Sequence, residues 1–124
     1  MEIIRDKEFV NRYHFDARNH ALEKENGIPE TKLKVDFQLI EQNRSENKTS
    51  LVTILHFIIV LEHFVISGAM SQAVHLQNRL VEEPTEFTEE ERRTLVDPLL
   101  DMLKRMTYDV TEIAFDAPGV NLEF

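Results

Sequence analysis

Five histidines are the residues of this chain best equipped for chemistry: His14, His20, His56, His63 and His75. Imidazole ligates transition metals and moves protons near neutral pH. A metal site needs ligands that converge, as two histidines four apart on one helix do. None of these five is so spaced. Glu62 beside His63 comes nearest to a pair, but adjacent residues on a strand point to opposite faces. A Ser-His-Asp set would draw on Ser67, His56 and Asp97, and nothing near Ser67 activates it. With glycine only at 27, 68 and 119, a phosphate-cradling loop has no material. The absence of cysteine excludes a disulfide framework and a thiolate zinc site. The expectation is a protein that is not an enzyme, binds no metal and needs no cofactor.

The elements that position these side chains are legible from their periods. In residues 8–16, Phe9, Tyr13 and Phe15 occupy odd positions between Arg12, His14 and Asp16, the pattern of a half-buried strand. Residues 20–31 contain Gly27 and Pro29 and read as a loop with a helical turn at 21–25. Leu33, Val35, Phe37 and Leu39 then alternate with Lys34, Asp36 and Gln38, which puts all four apolar side chains on one face. Residues 41–50 are polar turn chemistry. Their Asn43-Arg44-Ser45 and Asn47-Lys48-Thr49 triplets read as ordinary loop residues.

Residues 51–70 read LVTILHFIIVLEHFVISGAM. This apolar, β-branched run, interrupted at Glu62-His63, predicts a long β-hairpin with its turn there. His56, Glu62 and His63 argue against a membrane-spanning helix. The first arm is apolar on both faces: Leu55, Phe57, Ile59 and Leu61 on one, Val52, Ile54, Ile58 and Val60 on the other. In the second arm Phe64, Ile66, Met70, Val74 and Leu76 share one parity, although residues 69–81 also fit a helix.

After Glu82, Glu83 and Pro84, Thr88 and Glu91 form a capping box that opens a helix. Glu89, Glu90 and Glu91 suit the positive end of its dipole. Its apolar stripe is Leu95, Leu99, Met102, Leu103, Met106, Val110, Ile113 and Ala114. Pro98 should kink this helix or restart it with Asp97 as a new N-cap.

These readings assemble into one domain over residues 1–124. It is α+β, an antiparallel four-stranded sheet with a long C-terminal helix, about 89–115, packed on one face. One helix covers one face, and the doubly apolar strand needs cover on two. A homo-oligomer follows as the expectation. The net charge of −9 argues against nucleic acid and favours solubility. The N-terminal MEIIRDKEF has no apolar core, so no signal peptide is expected.

This order of elements resembles the SecB family of protein-export chaperones. The segments that carry the resemblance are the hairpin LVTILHFIIVLEHFVISGAM, the helix entered through Asp97-Pro98 and the tail PGVNLEF. More closely, the chain resembles an uncharacterised family of Gram-positive bacterial proteins that shares the SecB-like fold. The resemblance implies a cytoplasmic polypeptide-binding module, a holdase chaperone for unfolded or preprotein chains. It implies a dimer or dimer of dimers, apolar grooves for extended segments and a link to the protein-export machinery. The alternative is an oligomeric structural or regulatory adaptor of the same fold without chaperone activity. The candidate polypeptide contacts are Phe57, Ile59, Phe64 and Ile66, whose other fate is burial in the core.

Overall fold

Alternating side chains resolve into five antiparallel strands rather than four. The structure, a computed structural model, describes residues 1–124. In chain order it has β1 (Glu2–Arg5), β2 (Phe9–Ala17), α1 (His20–Asn26), β3 (Lys32–Asn43), β4 (Lys48–Val60) and β5 (Phe64–Gln77). A 3-10 turn (Pro84–Glu86) and α2 (Glu89–Phe115) follow. The sheet runs β3–β4–β5, and β1 and β2 lie end to end along the far side of β5. The expected first strand, residues 8–16, is β2, and β1 is an additional strand ahead of it. The extra one, β1, is too short to show a period, and Ile3 and Ile4 are adjacent rather than alternating.

The hairpin turns where its interruption placed it. Val60 pairs with Val65 and Thr49 with Leu76. Leu51, Leu55, Phe57 and Ile59 of β4 and Phe64, Ile66, Met70, Val74 and Leu76 of β5 are all buried, packed against Leu95, Leu99 and Leu103 of α2. On the opposite, open face Val52, Ile54 and Val60 are half-buried and Ile58 is 39% exposed. Residue 68 must be glycine. A bulge between Val10 and Arg12 pushes the Arg12 carbonyl against it, and an added Cβ would overlap that oxygen.

α2 is one continuous helix through Pro98. Proline has no amide to offer the carbonyl four residues back, that of Thr94. Arg5 of β1 supplies the donor instead. Its guanidinium donates to the Thr94 carbonyl at 2.7 Å and to the Leu95 carbonyl at 3.4 Å. Asp97 caps nothing; it accepts from Arg93 at 2.7 Å. The capping box at Thr88 and Glu91 forms as expected. The buried stripe departs from the expected line in the last third of the helix. Thr107 and Thr111 are buried there, Val110 is half-buried, and Ile113 and Ala114 are exposed. Tyr13 on β2 explains part of this, since its hydroxyl meets the Thr107 hydroxyl at 3.1 Å. The tail explains the rest. Asp116 adopts a left-handed conformation, the Val120 amide donates to the Thr111 hydroxyl at 2.8 Å, and Val120 and Leu122 pack on the core. No helix is long and apolar enough to cross a membrane.

Candidate polypeptide-binding edge

β3 stands at one margin of the sheet and pairs with β4 alone. Its register is unbroken from Lys32, opposite Ile58, to Leu39, opposite Leu51, and shifts only after that. The backbone amides and carbonyls on its outer side therefore have no strand partner, which is a template for another chain. The other margin is less suited to that role, because β1 and β2 are separate pieces and β2 carries the bulge.

Because α2 packs over β4 and β5, the helix-side face of β3 is only partly covered. Leu33 is 41% exposed and Val35, Phe37 and Leu39 are half-buried. Between β3 and the start of α2 lies a cleft of about 590 Å³, lined by Val35, Phe37, Pro84, Arg92 and Val96 among others. The Phe37 ring packs against that of Phe87 with centroids 5.4 Å apart, closing one end. The cleft thus has an apolar floor of Val35, Phe37 and Val96 beside an unpaired strand edge, with Asp36, Glu89, Arg92 and Arg93 around it.

The open face has a different chemistry. Strand register sets His14, Ser67, Ile58 and Lys32 in one row across four strands, and Arg12, Ala69, His56 and Lys34 in the next. The small side chains of the central strand leave a hollow of about 410 Å³ lined by Arg12, His14, Lys32, Lys34 and His56. Asp36 is the carboxylate beside them, 3.3 Å from His56 and 3.9 Å from Lys34.

The hairpin residues Phe57, Ile59, Phe64 and Ile66 are brought together, but in the core. They are 2%, 4%, 5% and 0% exposed, under α2. With α2 seated, none reaches a partner. Ser67, His56 and Asp97 are not brought together: His56 pairs with Asp36 on the sheet, and Asp97 pairs with Arg93 on the helix. A different Ser-His-Asp row does form. Ser50 Oγ lies 2.8 Å from His75 Nδ1, and His75 Nε2 lies 3.3 Å from Asp6. The His75 and Asp6 side chains are 40% and 57% exposed, without the buried carboxylate that fixes a catalytic imidazole. His20 sits 3.1 Å from Glu23, and His63 sits 3.7 Å from Glu62 on the exposed turn. No three His, Cys, Asp or Glu side chains are arranged to hold a metal ion.

Residues 1–124 match the family described as protein of unknown function, DUF1149. The chain belongs to that family. This DUF1149 chain is similar over its whole length to the crystal structure of a protein of unknown function from Streptococcus agalactiae. The two share 54% identity and a TM-score of 0.96, across 100% of this chain and 98% of the other. A more distant likeness is to a SecB-like chaperone from Mycobacterium tuberculosis, solved in complex with a ChAD peptide from an antitoxin. It has 12% identity and a TM-score of 0.44, over 98% of this chain and 86% of that one. At that distance the likeness carries no functional argument. Comparison with curated proteins gives no match.

Proposed function

We propose that this protein binds extended polypeptide as an added strand on β3, and that its clients are unfolded or preprotein chains held in the cytoplasm. The observation that supports this reading is the unpaired Lys32–Leu39 edge lying beside the cleft of Val35, Phe37 and Val96. Main-chain hydrogen bonds to the edge would hold any sequence, and alternate side chains would enter the slot. The reading assigns no reaction to the chain.

The test is an aggregation assay with several unrelated unfolded clients, comparing wild type with Leu33→Asp. Leu33 is 41% exposed, so the variant should fold, and a thermal melt verifies that it does. Wild type at equimolar ratio is expected to suppress aggregation and the variant to lose that effect. If wild type gives no protection, the holdase reading fails. If the variant protects equally, the segment docks elsewhere on the molecule.

A second reading, an oligomeric adaptor, is favoured by one observation at the far end of α2. Ile113 is 83% exposed and Phe115 is 49% exposed, with the Phe15 and Phe64 rings packed at a tilt against Phe115, centroids 6.0 and 5.4 Å away. An apolar helix end of this kind suits contact with a second copy.

A further inference from the structure

β3 presents two unlike faces to whatever pairs with its free edge. Leu33, Val35 and Phe37 stand on the helix side, in register with Phe57, Leu55 and Thr53. Lys32, Lys34 and Asp36 stand on the open side, in register with Ile58, His56 and Ile54. A strand added to the edge places successive side chains alternately on these two faces. Directly opposed side chains on one face have Cβ atoms roughly 4.5–5.5 Å apart, near enough for charge to discriminate.

The positive side is poorly neutralised from within. Lys32 makes no ion pair, and Lys34 shares the single carboxylate of Asp36 with His56. Arg12, on β2 three strands away, adds a further cation at the far side of the same open face. At the cleft, Arg92 makes no ion pair, Arg93 is held by Asp97, and Asp36 and Glu89 are the carboxylate residues lining it. This cationic strip belongs to a chain of net charge −9, so its sign reflects local placement rather than bulk composition. Long nucleic acids are repelled by the rest of the surface, whereas a short acidic segment meets only the strip.

We infer that the segment taken by β3 alternates acidic and apolar residues, its carboxylates over Lys32 and Lys34 and its apolar side chains in the cleft beside Val35 and Phe37. This rests on strand addition at β3, proposed above. A second copy is the competing occupant. β3 paired with itself antiparallel about Val35 would set Lys34 against Asp36 in both directions.

Three labelled peptides of about nine residues separate these cases by fluorescence anisotropy at low salt: alternating Glu-Val, Lys-Val and Ser-Val. The Glu peptide is expected to bind about tenfold more tightly than the Lys peptide, a gap set by two opposed charge pairs. Added salt should narrow the gap. The exposed double variant Lys32→Glu/Lys34→Glu should reverse the order, with an unchanged melt showing that it folds. Equal affinity for the Glu and Lys peptides overturns the acidic preference and leaves strand addition standing. Failure of all three peptides to bind overturns both. A wild-type dimer that Lys34→Glu dissociates, with no peptide bound, gives the edge to a second copy and overturns the inference as well.

Discussion

At the scale of single residues, one arginine makes a proline tolerable. Pro98 leaves the Thr94 carbonyl without its helical donor, and Arg5 supplies that donor from a different element. Arg5→Met is expected to cost about 0.5–1.5 kcal/mol, the usual net worth of a hydrogen bond, because the Thr94 carbonyl lies at the surface. In a Pro98→Ala background the same change should cost less, because residue 98 regains an amide. Urea denaturation of the four proteins measures that difference as a double-mutant cycle. Glu91 offers a second test. Its carboxylate accepts the Thr88 amide and binds Arg79 at 2.7 Å. The Thr88 hydrogen bond, opposed by desolvation and assisted by Arg79, holds Glu91 below its ordinary 4.5. Glu86 is lowered by the amides of Glu83 and Glu82, and Glu23 first by its hydrogen bond to Arg18. A depressed carboxylate contributes stability above its unfolded pKa and loses it as pH falls through the folded value. The melting temperature should therefore hold above about pH 5 and decline below it. Glu91→Gln should be less stable at neutral pH and show a shallower acid decline in the same thermal scan.

At the scale of elements, α2 depends on its partners as much as on its own stripe. Thr88 and Glu91 start it, Leu95, Leu99 and Leu103 seat it, and the returning tail covers the side that Met102 and Met106 leave half-buried. Leu122→Ala should cost about 1–2 kcal/mol, less than a fully buried leucine because Leu122 is only half-buried. Chemical denaturation measures this cost. Gly68→Ala acts through β2 instead. Overlap with the Arg12 carbonyl is backbone against Cβ, so the strands must part. The expected cost is at or above the ~1–3 kcal/mol usual for overpacking, with hydrogen-exchange protection lost first along β2.

At the scale of the whole molecule, the two ends of α2 offer surfaces of different kinds. Its N-terminal end adjoins the β3 edge and its cleft, while its C-terminal end carries exposed Ile113 and Phe115. If the second surface joins copies, Ile113→Lys should shift the protein from dimer or larger to monomer in light scattering at micromolar concentration. The melt of the monomer itself should barely move, since Ile113 is 83% exposed. A wild-type protein that is already a stable monomer at that concentration removes the adaptor reading.

Local pattern carried much of this fold. Alternation in Leu33–Leu39, the turn at Glu62-His63 and the capping box at Thr88 each depend on residues a few positions apart, and each stands in the structure where its period or spacing put it. The hairpin turn even fixed the register that sets Ser50 against His75, although that row was not read from it. What the tertiary structure decided was which surface is free. Parity put Phe57, Ile59, Phe64 and Ile66 on one face without saying that α2 would bury it. The alternation of β3 could not reveal that β3 is an edge, because edge status depends on the order of strands distant in sequence. β1 escaped notice for the same reason. Four residues show no period, and the partners that make them a strand, Val74–Gln77, lie some seventy positions away, about one sheet spacing distant once the chain has folded.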